Sequence, residues 1–172
     1  MLIREATDAD SEGVIRVIEG VFTEYPGCLL DVDGEAPHLR RVASAFAAWG
    51  GRFWVAEEDG KVVASGGYRA VSAGEGAELK HLYVSAAARR RDLGNSLTEM
   101  AEREAAAAGA HFIELWTDTR FADAHRLYER RDYIRGAETR ELNDVSRSVE
   151  FYFRKQITGS PGRALGSEPL RR

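Results

Sequence analysis

A single cysteine, Cys28, stands among the 172 residues. It has no second cysteine for an intrachain disulfide and no companion for a zinc site, which removes disulfide-stapled and zinc-ribbon architectures. A free, reduced thiol fits a cytoplasmic protein, and the opening MLIREATDAD lacks the apolar run of a signal peptide. No stretch approaches the ~20 apolar residues that span a bilayer, so no membrane partner is expected. Net charge is also small, with 24 basic against 28 acidic residues. That balance argues against a nucleic-acid binder, and any anion site must be local. Glycine-rich nucleotide signatures are missing too. The segment RRRDLGNSL (89–97) carries no Gly-Lys-Ser/Thr, and it has one glycine where a dinucleotide fingerprint needs three.

What is present is an alternation of short β-rich runs and amphipathic helices in a chain of one-domain length. LIREA (2–6) reads as a strand. The next helix carries Asp8 or Asp10 as its cap and Val14, Ile15, Ile18, Val21 and Phe22 on one face. Residues 23–37 read as a loop rich in Gly, Pro and acids. A second helix follows with Leu39, Val42, Phe46 and Trp49 inward and Gly50 as its stop. RFWVAEEDGKVVASGGYRA is a hairpin turning at Asp59-Gly60. AELKHLYV (77–84) is a strand, and a long helix runs from Leu93 to Ala108 with Leu93, Leu97, Met100, Ala101 and Ala105 on its core face, ended by Gly109. HFIELWT is a mostly buried strand, RFADAHRLYERR a helix, and YIRGAETREL and SVEFYFRKQ are closing strands around NDVS. The order predicts a single α/β domain, a mixed sheet of about seven strands flanked by about four helices. It spans 1–156, with 157–172, rich in Gly, Pro, Ser and Arg, as a flexible C-terminal tail.

Arg89, Arg90 and Arg91 sit between the strand LKHLYV and the long helix. A helix N-terminus offers unpaired N–H groups and partial positive charge, which suits phosphate. Gly94 lets a bulky anion approach the backbone, and nearby arginines supply directed donors.

The spacing Arg91-x-x-Gly94-x-Ser96, after LYV and opening a long helix, resembles the acetyl-CoA pyrophosphate loop of the GNAT N-acetyltransferase superfamily. AHRLYERRDY (124–133) is similar to that family's A-x-x-L-Y-E-x-x-G-F segment, and the predicted element order is also the family's. The resemblance covers about residues 2–155. This chain has Asp92 where many members have glycine, Ser96 where the pattern has Gly or Ala, Phe121 where many carry an asparagine, and Asp132 in place of the usual glycine. Asp92 is also expected to cap the helix.

The resemblance implies acetyl-CoA as acyl donor and no metal. It places Arg89, Arg90, Arg91, Asp92, Leu93, Gly94, Asn95 and Ser96 around the coenzyme phosphates, and the backbone of Leu82, Tyr83 and Val84 along the pantetheine arm. It implies Tyr128 as proton donor to the departing thiolate and Glu78 as general base. His81, three residues beyond Glu78, is a further candidate titrating near neutral pH, whereas His125 reads as a surface helix residue. Glu24, Asp31, Asp33 and Glu35 in the 23–37 loop suit a cationic amine acceptor, which Tyr25 and Cys28 help enclose. The activity implied is acetyl transfer to a primary amine of a small molecule or amino acid. The alternatives are a protein lysine or N-terminal acetyltransferase and a non-catalytic acyl-CoA-binding module. Homodimerisation is left open.

Overall fold

The computed structural model describes residues 1–157. Seven strands form one sheet in the order β1-β2-β3-β4-β5-β7-β6. They are β1 Leu2–Glu5, β2 Arg52–Glu58, β3 Lys61–Val71, β4 Gly76–Val84, β5 Phe112–Asp118, β6 Ile134–Glu141 and β7 Val149–Gln156. Every neighbouring pair is antiparallel except β4–β5. The helices are α1 Ser11–Phe22, α2 Val32–Glu35, α3 Val42–Ala48, α4 Leu93–Ala107 and α5 Ala122–Arg130.

Strand alternation sends side chains to two helical layers. On β2, Phe53 and Val55 pack with Val14, Ile15 and Ile18 of α1 and with Leu39, Val42 and Phe46. Trp54 and Ala56 point to the other face, where Leu93, Leu97, Ala101 and Ala105 of α4 lie with Tyr128 of α5. The expected core faces of α1 and α4 hold, except that Phe22 and Met100 are half-buried while Thr98 and Glu102 are buried. The Asp59-Gly60 turn has both residues at positive φ, 51° and 74°, which matches the twist of a tight hairpin. Gly50 and Gly109, at φ 69° and 101°, end α3 and α4.

Several local expectations are corrected. Neither Asp8 nor Asp10 caps α1 through its side chain. Asp10 accepts from the Thr7 N–H at 2.8 Å and from both terminal nitrogens of Arg4, which holds its carboxyl below the usual range. Asp8 accepts from Ser44 N at 2.9 Å, while Ser11 Oγ accepts from Val42 N at 3.0 Å. Residues at the start of α1 therefore cap α3 and fix the two helices together. The 23–37 loop contains α2, a single turn whose N-cap Asp31 accepts from Gly34 N at 2.9 Å. His38–Arg41, expected as the first turn of α3, lies in a 3₁₀ segment that runs from Pro37 to Arg41. At the C-terminus, Ile157 is buried and donates its N–H to the His111 carbonyl at 2.9 Å. The remainder of the expected tail lies outside the described residues.

Candidate active site

The parallel pair β4–β5 runs together only through Gly76–Phe112, Ala77–Ile113 and Glu78–Glu114. Beyond Glu78 the strands part, and the side of β4 facing away from β3 has no strand partner from Leu79 to Val84. β4 is also bulged. Ser65 of β3 faces Tyr83 and Gly67 faces Lys80, so His81 and Leu82 stand opposite the single residue Gly66. His81 carries the irregularity at φ 56°, and its carbonyl accepts from Ser65 Oγ at 2.9 Å.

Two cavities open at this splay. The larger, about 1160 Å³, lies between the end of β4, the N-terminus of α4 and the length of α5. The first helical hydrogen bond of α4 is Ser96 N to Asp92 O at 2.9 Å, which leaves the N–H groups of Leu93, Gly94 and Asn95 available. A Cβ at Gly94 would stand 3.2 Å from Leu127 of α5 and narrow this gap. Six cationic side chains line the cleft, Arg89, Arg90, Arg126, Arg130, Arg131 and Lys155, against three carboxylates, Asp92, Asp123 and Asp132. A chain of net charge −4 thus concentrates positive potential at one helix N-terminus.

Not all of that charge is free. Arg89 is held in a fork by Glu24 at 2.6 Å twice. Arg131 and Lys155 share the buried Glu102, at 2.7 and 3.0 Å. Burial alone would raise the Glu102 pKa, but these two cations hold it below the usual carboxylate range. Arg90 and Arg130 have no carboxylate partner among the described residues.

Of the residues expected at the coenzyme, Leu82, Tyr83, Val84, Arg89, Arg90, Asp92, Leu93, Gly94 and Asn95 line this cleft. Arg91 and Ser96 do not. The Arg91 guanidinium turns to Glu58 on the β2–β3 hairpin at 2.6 Å, and Ser96 contributes its backbone N–H to the first helical bond of α4. Asp92 does not cap α4 with its side chain. Its backbone is left-handed at φ 61°, and its carboxylate instead accepts from Asn95 Nδ2 at 3.2 Å. Arg126, Arg130, Arg131 and Lys155 were not anticipated. Arg126 and Arg130 are spaced i, i+4 beside Leu127, a signal that a helical projection of α5 exposes.

The second cavity, about 480 Å³, sits inside the splay. Glu78, Leu79 and His81 of β4, Trp116–Asp118 of β5 and Tyr128 of α5 line it, with Cys28–Leu30, Glu35 and Ala36 on one side and the β6–β7 loop on the other. Ser146 of that loop ties the two sides together, accepting from Leu29 N at 2.8 Å and donating to Leu29 O at 2.9 Å. Leu82, Tyr83, Phe121 and Ala124 line both cavities and form their common wall. Phe121 anchors that wall against Tyr25, Phe22 and Tyr83, with ring centroids 4.8–6.2 Å apart.

Tyr128 packs its ring between Tyr133 and Phe153. Burial pushes its phenol well above the ordinary value, so it stays protonated at neutral pH. Glu78 is buried, and both carboxylate oxygens are engaged, one by Arg69 Nε at 2.7 Å and the other by Lys80 Nζ at 3.4 Å. Burial raises the Cys28 thiol, which makes it a poor nucleophile. Of the acids expected around the acceptor, Glu35 reaches the cavity, Glu24 pairs with Arg89, Asp33 pairs with Arg40, and Asp31 caps α2. Tyr25, expected to help enclose the acceptor, lines the larger cleft instead, while Cys28 lines the smaller cavity. His125, expected at the surface, is half-buried against Phe151 and bonded to the Asp118 carbonyl at 2.9 Å.

A sheet splayed beside a helix N-terminus, with a cationic cleft on one side and a second pocket on the other, can bring an anionic ligand and a second molecule together at the end of β4. Residues 18–133 match the model of the Acetyltransferase (GNAT) family, and the chain belongs to that family. It is 30% identical over 132 residues to YjgM, an uncharacterized N-acetyltransferase of Escherichia coli K12, covering 74% of this chain and 78% of that one. A GNAT-family acetyltransferase from Staphylococcus aureus Mu50 has the same fold, with a TM-score of 0.78 at 18% identity over 91% of this chain and 99% of that one. The structure of yncA from Salmonella typhimurium, solved with its cofactor acetyl-CoA, aligns at TM-score 0.71 and 18% identity over 96% of this chain and 99% of that one.

Proposed function

We propose that this acetyltransferase takes acetyl-CoA as donor and passes the acetyl group directly to a primary amine of a small molecule or amino acid. The observation that carries the reading is the meeting of the two cavities at Leu82 and Tyr83, where β4 leaves β5. The cationic cleft suits the coenzyme phosphates, held by the N–H groups of Leu93, Gly94 and Asn95 and by Arg90 and Arg130. The unpaired backbone of Leu82–Val84 suits the amide groups of the pantetheine arm, which would add to β4 as a strand does. The thioester then lies at the common wall, and the amine attacks from the 480 Å³ side.

In that step the C–N bond forms first, giving a tetrahedral oxyanion, and the C–S bond breaks as it collapses. A backbone N–H of the Leu82–Val84 stretch stabilises the oxyanion. Tyr128, protonated and set in the acceptor cavity, donates its hydroxyl proton toward the sulfur as the thiolate departs, and the proton shed by the newly acylated nitrogen restores it. A pocket of this volume, closed by the Leu29–Ser146 link, favours a small acceptor over a peptide.

The test pairs calorimetric titration with acetyl-CoA and thiol-release assays on free amines, amino acids and lysine or N-terminal peptides. Micromolar coenzyme binding with turnover of free amines supports the reading. Turnover confined to peptides moves the acceptor class to proteins, and binding without turnover on any acceptor leaves an acyl-CoA-binding module.

A further inference from the structure

The amine must lose a proton, and the residue that the family resemblance assigns to this, Glu78, has both oxygens committed to Arg69 and Lys80. Three residues further along β4, His81 lines the same acceptor cavity. Its Nε2 lies 2.8 Å from Nε2 of His38, in the 3₁₀ segment Pro37–Arg41, and the two rings lie 5.0 Å apart centroid to centroid. The positive φ of the bulge sets His81 here, an arrangement costly for a residue with a Cβ. His38, by contrast, lies outside the cavity lining and is half-buried against Phe46 and Trp49.

A 2.8 Å contact between two Nε2 atoms holds one proton. With that proton on His81, Nδ1 of His81 is its acceptor nitrogen, and no described residue bonds to it. We propose that His81 is the general base of the reaction and that His38 is a positioning and relay residue which carries the proton out of the acceptor cavity. The inference rests on the acetyltransferase reading above. The substrate ammonium gives its proton to His81 Nδ1 and becomes the neutral nucleophile. His81 Nε2 hands its own proton to His38 Nε2, and His38 releases its Nδ1 proton to water. Once product has left, the reverse tautomer shift, with His38 Nδ1 taking a proton from water and His81 Nδ1 giving one to water in the emptied cavity, resets the pair, so each turnover moves one substrate proton to water.

The surroundings keep the pair neutral and ready. Lys80 of β4 and Arg69 of β3 are the cations facing it, Glu78 pairs with both of them, and Tyr83 lies against His81. Burial first, then Lys80, depresses both imidazoles, and Arg69 adds to the effect on His38, which falls to about 4. Both imidazoles are therefore in the neutral form, in which Nδ1 of His81 is free to accept a proton.

The experiment is the pH dependence of kcat/KM between pH 6 and 9, with thiol release as readout. The acceptor is an amine that the wild type turns over. The variants are His81→Asn, His38→Gln and Glu78→Gln, each checked for acetyl-CoA binding and thermal unfolding. Asn tolerates the left-handed backbone at 81. The expected result for His81→Asn is a kcat lower by about 10²-fold or more, with kcat/KM rising about tenfold per pH unit as bulk base replaces the side chain. His38→Gln leaves the bulge untouched. It is expected to lower kcat by about tenfold at unchanged acetyl-CoA KM, with partial rescue by added imidazole, so it reads the relay even where His81→Asn fails to fold. A wild-type-like profile in either folded histidine variant overturns the proposal, as does a tenfold-per-unit slope appearing only in Glu78→Gln. Absence of wild-type turnover on every amine and peptide removes the acetyltransferase reading itself, and this proposal with it.

Discussion

Arg91 and Arg130 give opposite expectations from spacing and from geometry, so substituting each is the sharpest test of the coenzyme site. Arg91 occupies the motif position, yet its guanidinium is paired with Glu58 outside the cleft, with 43% and 35% of the two side chains exposed. Removing it costs a surface ion pair, roughly 0–1 kcal/mol of stability, and the Ala variant keeps the backbone N–H groups of the loop. Its coenzyme Kd is expected to stay within about twofold. Arg130 lines the cleft with no carboxylate to neutralise it. A charge-assisted bond to phosphate contributes about 1.5–3 kcal/mol, and the exposure of Arg130 favours the lower end. Arg130→Ala should therefore weaken acetyl-CoA binding about tenfold, with the difference shrinking at high salt as screening removes the term. Calorimetry at two ionic strengths measures both. A tenfold loss in Arg91→Ala with Arg130→Ala unchanged would refute the assignment.

Asp92→Gly should stabilise the protein by about 1 kcal/mol by relieving the left-handed backbone, seen as a rise of about 2–4 °C in Tm, and should tighten coenzyme binding by removing a carboxylate from the phosphate site. Tyr128→Phe should lower kcat by about 10²-fold with coenzyme affinity within twofold, measured by paired kinetics and calorimetry, because Tyr128 lines only the acceptor cavity. His38 is held neutral, with its folded pKa near 4 against 6.5 in a free chain. That contribution is complete above pH 6.5 and is lost as pH falls toward 4, about 1–2 kcal/mol after allowance for solvent around the ring. Denaturant unfolding should show this drop in the wild type and a smaller one in His38→Gln.

The fold was legible because its elements follow the two side-chain periods. Phe53/Val55 against Trp54/Ala56 on β2, and Leu93, Leu97, Ala101 and Ala105 on α4, each mark a buried face. Less legible were features set by contacts distant in sequence. Asp8 and Asp10 precede a helical run and read as its caps, but Ser44 and Arg4 claim their carboxylates. The His81 bulge carries no local mark, since histidine inside KHLYV reads as ordinary strand and the extra residue appears only on pairing with Gly66. The cations of the cleft come from three places, the loop before α4, the α5 helix and β7. The arginine run shows the first of these, and nothing local links Lys155 to it.

The departures from the family pattern at Asp92 and Phe121 leave both cavities open, for different physical reasons. At 92 the chain needs a positive φ, which is why glycine suits the position, and aspartate is among the few other side chains that adopt it. Its carboxylate bonds to Asn95, so part of the charge is spent locally at the phosphate site. At 121 a phenyl ring replaces a polar contact, and the structure uses it as wall. Phe121 meets Phe22 and Tyr25 at the end of α1 and Tyr83 on β4. What is lost is one hydrogen-bonding side chain beside the pantetheine arm. What is gained is an apolar partition between the two cavities, which under the proposed placement of the coenzyme lies beside the thioester. Under the proposed placement, coenzyme affinity is expected to depend more heavily on the cationic end of the cleft, where Arg90 and Arg130 stand without carboxylate partners among the described residues.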